Sequence, residues 1–515
     1  MNLNKLLTAL RQRKNTPARN QQAGRRERYM HALEQFLDGH QPAVRLSGVY
    51  TLANLIDEWL TDASFPEQVR REEAQTIIDA LTGCIRTPYP LAQKRQALEA
   101  DEAPEGYEGD FTRDQEALRE EQLVRRTVFM EFSRRIAAIA ENNKADNEEN
   151  QHAAPSVSPM WADLRFDFGG APIFYPLGQL HFQNADFASA TFYGPADFFG
   201  ATFHGDTSFS AAQFTADASF HGANFTGEAD FSDAVFSAAV DFAVSTFKAD
   251  ADFSRLNTAG IASFATVTFD GNAVFTASTF HDEAHFAASV FNHPAVFSKS
   301  LFGGVARFAG VVTKQSAMFS GVRFASAADF SGASFTQFAD FGGAHFDGDA
   351  TFSRSSFFAV IRTSYDMDFP QYANFANAAF AQGADFSEAT FTAFVGFGRA
   401  TFAGTVSFNG VSFEGAYFAD AKFSQKADFR QTRFSYAEPS FWDSEGHQKS
   451  ALFSAQADPQ DYLFGTRAES PYGFSYGEAE LLNRTFVLPL GAVLYDPDSW
   501  DEEKQEYTRA SEPAQ

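Results

Sequence analysis

The sequence predicts a mainly β protein, a β-solenoid preceded by a small α-helical domain. Three observations predict it. Most of the 61 phenylalanines fall between Phe187 and Phe434, so the aromatic richness belongs to one segment. Within that segment phenylalanine recurs in steps of five and six residues, as in FHGANFTGEADFSDAVF from Phe220 to Phe236. A small residue, usually alanine, stands two positions before every second ring. Self-similarity at a fixed period marks a repeat array rather than several ordinary domains.

Residues 1–26 form a basic arm, expected to be disordered. Lys5, Arg11, Arg13, Lys14, Arg19, Arg25, Arg26 and Arg28 meet only Glu27 within the first thirty residues. The body is acidic: the formal net charge of the chain is −26. That balance argues against nucleic acid as the main ligand of the solenoid. Only the arm offers a contact for anionic lipid or RNA, and it reads first as a disordered, solvated tail. A single cysteine, Cys84, leaves no internal disulfide, and its place in IIDALTGCIR, at the end of an amphipathic helix, reads as a buried structural thiol. No run of 18 apolar residues occurs, so neither a signal peptide nor a membrane span is expected, and the expected location is cytoplasmic.

Residues 27–142 read as an α-helical domain. VRLSGVYTLANLIDEWL places Val49, Ala53, Ile56 and Leu60 on one stripe. Ser64 and Glu67 stand in capping-box spacing, as do Thr112 and Gln115 ahead of a helix carrying Leu118, Phe129, Phe132, Ile136 and Ile139. QALEADEAPEGYEGD is acidic and expected to be disordered, and residues 143–160 read as a polar, Pro-containing linker.

Residues 161–437 carry the ladder, written as two interleaved series of period eleven. One runs from Phe187 to Phe352, with alanine two residues before each ring except at Thr207 and Val240. The other runs from Phe192 to Phe357 and lapses only at Thr258 and Thr313. A one-residue insertion then leads to Phe369, Phe375 and Phe380. After Phe413 one residue is lost, and the ladder closes with Phe418, Phe423, Phe429 and Phe434. Side chains two apart on an extended strand share a face, so a small residue and a ring enter the interior together on each short strand. Glycines in FHGAN, FTGEAD and FSGAS supply corner conformations that other residues resist. An eleven-residue period also suits a right-handed helical supercoil, but Gly, Ser, Thr, Asp and Phe dominate, and that composition rejects a helix. Four sides of five, six, five and six residues make a coil of about 22 residues; roughly eleven coils would span on the order of 55 Å.

The recurring ADF at 185–187, 196–198, 229–231, 251–253, 328–330, 339–341, 384–386 and 427–429 resembles the A(D/N)LXX motif of the pentapeptide-repeat proteins. The resemblance implies a right-handed quadrilateral β-helix. The departure is one extra residue in every second repeat. The run RYMHALEQFL…VRLSGVYTLANLIDEW is similar to the helical segment ahead of the repeats in a subgroup of bacterial members, where membrane-spanning helices commonly precede it; none is present here. Residues 438–515 are expected to be a C-terminal capping segment and acidic tail, with RTFVLPLGAVLYDPDSW closing an open end that would otherwise expose strand edges.

Chemistry is sparse. HDEAH, with His281, Asp282, Glu283 and His285, lacks the H-E-x-x-H order and the helix that a zinc protease needs. No nucleophile elbow, phosphate loop or dinucleotide fingerprint occurs, and acidic pairs such as Asp230 and Asp252 recur with the repeat. No catalytic, cofactor-binding or metal residue is therefore assigned, no cofactor is expected, and the chain is read as non-enzymatic. Two functions are expected: a scaffold binding a protein partner, and, as the alternative implied by the resemblance, an acidic DNA mimic acting on a topoisomerase or other DNA-binding protein. The outward position before the first-series ring reads Asp186, Asp197, Ser208, Ser219, Asp230, Asp241 and Asp252, then Val274, His285, Val296, Arg307 and Met318, and returns to Asp329 and Asp340. That interruption weighs against a continuous phosphate-like stripe. Partner identity and oligomeric state are not set by the sequence.

Overall fold

The computed structural model describes residues 17–38, 41–149, 161, 163–358, 373–443 and 449–515. They form a β-solenoid of about 12 turns, with five α-helices ahead of it in the chain. Two compact units, residues 1–229 and 230–515, are taken in turn.

In the first unit the helices are α1 (Pro17–Phe36), α2 (Pro42–Thr61), α3 (Glu67–Arg86), the short α4 (Arg95–Leu98) and α5 (Phe111–Glu149). The stripe of α2 is buried as expected, with Val49, Ala53 and Ile56 fully enclosed and Leu60 nearly so. The two capping boxes do not form. Helix α3 starts at Glu67 behind Pro66, and Ser64 donates its backbone N–H to Asp62 instead. Gln115 spends its amide on the Leu98 and Ala100 carbonyls, while Asp110 accepts from the Arg113 N–H. The acidic stretch after α4 is ordered: the Lys94 ammonium reaches the Glu108 carbonyl and lies 4.8 Å from the Tyr107 ring. Helix α5 continues to Glu149, into the expected linker.

A buried ion cluster ties the helices together. Glu121 on α5 accepts from Arg45 of α2 and from Arg125, both at 2.6 Å. Arg45 also donates to the Phe36 carbonyl ending α1, and Arg125 to the Ile85 and Thr87 carbonyls at the end of α3. These guanidiniums occupy carbonyls that a helix terminus leaves unpaired. Burial pushes the Glu121 carboxyl up, but the hydrogen bonds from Arg45 and Arg125 outweigh it and hold the group below its ordinary 4.5. A depressed folded value means the stabilisation is present above the unfolded value and is lost as pH falls through the folded one. Glu121→Gln, which strands two guanidiniums, is expected to cost about 3–5 kcal/mol at neutral pH. In urea titrations the gap between wild type and variant should narrow as pH falls below the ordinary carboxyl value of 4.5 and on through the depressed folded one.

The helices cover the end of the first coil. Phe129 stacks on Phe168 at 4.5 Å and Phe132 meets Phe166 at 5.0 Å. Gln122 donates to the Phe174 carbonyl, Ser133 accepts from the His181 N–H, and Arg86 pairs with Asp167. The arm's last cations belong to the same assembly, Arg25 pairing with Asp62, Arg26 with Glu73 and Arg28 with Glu58. Lys5, Arg11, Arg13 and Lys14 lie outside the described residues.

Each coil has four sides. In the first unit Asp186 pairs with Ser208, Thr191 with Gln213, Ala196 with Ala218 and Thr202 with Asn224, all in parallel. In the second unit Ala251 pairs with Ala273, Asn257 with Thr279, Ala262 with Ala284 and Thr268 with Val290. The register step is 22 residues on every side. Successive sides, starting with the one that carries Ala251, are here the first to the fourth.

The five-residue step is a type II turn. Phe253, for example, accepts from the N–H of Leu256, with Arg255 at φ +56°. The extra residue of the six-residue step lies in the bend after each second-series ring, so the departure from a five-residue repeat leaves four sides intact. Val244 occupies the left-handed position at φ +63°, a strained place for a β-branched residue. Val244→Gly, which removes an exposed side chain, is expected to stabilise by about 0.5–1 kcal/mol, seen as a raised Tm.

The rings form columns along each side and T-shaped contacts across the interior. Phe264 stacks on Phe286 at 4.9 Å and 2°, and meets Phe253 and Phe275 edge-on at 5.2 Å, at 87° and 90°. Both arrangements suit the ring quadrupole, and the 4.8–4.9 Å stacking matches the strand spacing. Where the ring lapses at Thr258, the preceding small position is filled by buried Leu256, which restores volume.

Two readings of the ladder change. Ala339 pairs with Ala373, a step of 34 residues instead of 22, so the register lengthens by twelve residues here. An insertion of twelve mimics one residue in an eleven-residue period. Phe375 stacks on Phe341, while Phe369 lies outside the described residues. The ladder also continues past 437: Phe441 stacks on Phe418, Phe453 on Phe423 and Phe464 on Phe429, and Val493–Tyr495 pairs with Leu452–Ser454.

Candidate binding groove

The outward carboxylates of the first and third sides belong to the corners. Asp186, Asp197, Asp230, Asp241, Asp252, Asp329 and Asp340 each accept the backbone N–H two residues on, at 2.7–2.9 Å. Ser208 and Ser219 do the same through their hydroxyls. These are Asx and ST turns, which is why aspartate recurs there. On the first side the stripe breaks at Val274, Val296 and Met318, one above another.

The HDEAH residues are engaged with a cation. Glu283 accepts from Arg307 at 3.0 Å and lies 2.9 Å from His285, while His281 and Asp282 are exposed. Burial pushes the Cys84 thiol up, away from the thiolate that reactivity needs.

A large concave feature lies near the end of the second unit. Its floor is the outward column of the second side: Thr401, Lys422, Leu452 and Val493. One flank carries Arg399, Asp420, Lys449 and Trp442; the other carries Tyr495, Tyr507 and Trp500. The groove holds about 1400 Å³.

Each wall has a local cause. Trp442 lies against Gly491, at φ +81°, where a Cβ would come within 2.7 Å of the indole Cγ. The opposite wall is a hairpin in which Trp500 pairs with Tyr507; their rings are 4.9 Å apart, and Tyr507 packs on Tyr495 at 4.5 Å. Lys422 donates to the Tyr507 hydroxyl, with its ammonium 4.6 Å from that ring and 5.0 Å from Tyr495. Burial pushes the Tyr495 hydroxyl up to about 12, so it stays a neutral hydrogen-bonding group. Trp442 is 50% and Trp500 41% exposed.

Sequence reasoning passed over this site, because 438–515 reads as a cap and tail. The cue was two tryptophans in a segment with few apolar neighbours.

A family model described as pentapeptide repeats (9 copies) matches residues 179–224 and 314–356. No curated protein and no solved structure matches the chain. No helix among the described residues is long and apolar enough to cross a membrane. Four-sided coils, a recurrent Ala-Asp-Phe corner motif and the matched segments agree: the solenoid of this chain is built of pentapeptide repeats.

Proposed function

We propose that the protein is a non-enzymatic interaction scaffold that offers the aromatic groove to a protein partner. The observation that carries this reading is the pair of half-exposed tryptophans flanking a flat floor, since Trp, Tyr and Arg are the residues that dominate interface energetics. The solenoid supplies rigidity: its coils are fixed by backbone ladders and ring columns, so little ordering entropy is lost on binding.

The alternative, an acidic DNA mimic, has weaker support. One oxygen of each repeated aspartate is committed to its own corner, and the stripe is broken by Val274, Val296 and Met318.

Affinity capture from native lysate, with the wild-type chain and Trp442→Ala/Trp500→Ala as baits, separates the two. The scaffold reading expects a partner held through high salt by the wild type and lost by the variant. Capture at low salt alone, unchanged in the variant, would contradict it and favour mimicry.

A further inference from the structure

We propose that the groove recognises an extended acidic–aromatic segment of the partner, with a flat apolar side chain between Trp442 and Trp500 and a carboxylate two residues away on Lys422. This rests on the groove being the binding site, and it adds the chemistry of what is bound.

Three features point to that chemistry. Charge is the first. Arg399 and Lys449 share Asp420, at 3.3 and 3.2 Å, whereas Lys422 faces no carboxylate within ion-pair distance among the described residues. The lining holds three cations, Arg399, Lys422 and Lys449, against Asp420 and Glu506. A local positive balance stands out in a chain of net charge −26, and it selects an anionic group.

The floor is polarised, which is the second feature. Thr401 and Lys422 stand at one end of the column, and Leu452 and Val493 at the other, with Leu490 and Pro513 also lining the site. Rungs are about 4.8 Å apart, and same-face side chains of an extended peptide about 6.8 Å. A carboxylate over Lys422 therefore places the side chain two residues away over the apolar rungs, between the indoles. Third, about 1400 Å³ exceeds the roughly 300–1,000 Å³ of an ordinary small-ligand cleft and suits a run of several residues.

The same geometry explains why the ammonium is held ready. Two ring faces and the Tyr507 hydroxyl fix it without neutralising it. A carboxylate gains a charge-assisted hydrogen bond and an attraction strengthened by the surrounding rings.

The test uses the full chain and three capped, fluorescein-labelled peptides with Phe two residues from Asp, Asn or Lys, titrated by fluorescence anisotropy. The Asp peptide should bind about tenfold or more tighter than the Asn peptide, as expected for a hydrogen bond to a charged group, and the Lys peptide weakest. In Lys422→Met, its fold checked by an unchanged melting profile, the preference for Asp over Asn should vanish. Equal affinity of the wild type for Asp and Asn peptides, an unchanged ratio in Lys422→Met, or no binding of any peptide at millimolar concentration would overturn the inference. If a captured partner still depends on Trp442 and Trp500 in that event, the groove remains the binding site and only the ligand chemistry fails.

Discussion

Phe275→Ala is expected to destabilise the solenoid by about 3–5 kcal/mol. The ring is fully buried, stacked on Phe253 and Phe297 at 4.8 Å, and edge-on to Phe264 at 5.2 Å and Phe286 at 5.3 Å. Its removal breaks one column and the ring contacts across the interior while the hydrogen-bonded backbone resists collapse, so the cavity term is added to the lost transfer energy. Because a repeat array is stabilised by nearest neighbours, the damage should be local. Hydrogen exchange should quicken in the coils around Phe275 before distant ones. Phe358, 41% exposed, is the control: its change to alanine should stay within about 0.5 kcal/mol. Equal effects at the two positions, measured by urea denaturation, would refute the ring-column account.

Phe129→Ala on α5 should cost a similar 3–5 kcal/mol through a different mechanism. Phe129 stacks on Phe168 at 4.5 Å and reaches Phe187 at 6.3 Å, filling the interior beside that column at the end of the first coil. Its loss should loosen the helices from the first coil and expose parallel strand edges, which recruit other chains. The expected readout is a lower Tm together with concentration-dependent aggregation. A loss below about 1 kcal/mol with no association would show that the helices do not act as a cap.

The repeat made most of this fold readable. The first-series rings, with the alanines and aspartates that recur before them, report three separate constraints: core filling, close packing and an Asx corner. All three recur at a period of eleven, which with this composition a four-sided coil satisfies. The insertion after Phe357 misled because twelve residues differ from the period by one. The boundary near 437 misled because Phe441, Phe453 and Phe464 keep the columns while the spacing between them is irregular. The helical cap was visible as helices but not as a cap, since the contacts of Phe129 and Phe132 depend on how α5 meets the coil. The groove was hidden for a related reason: Lys422, Trp442 and Trp500 are far apart in the chain, and only the stacking of side-two rungs brings them together.

The outward faces of the regular coils follow from a step of 22 residues, and paired cysteines test that step most directly. In a Cys84→Ala background, Thr268→Cys/Val290→Cys places two thiols on adjacent parallel strands, whose spacing of about 4.8 Å lies within disulfide reach. Thr268→Cys/Thr279→Cys, eleven residues apart, places them on different sides. Near-complete oxidation of the first pair with the second remaining reduced is the predicted result. Cross-linking of the eleven-residue pair in preference to the other would contradict the four-sided coil.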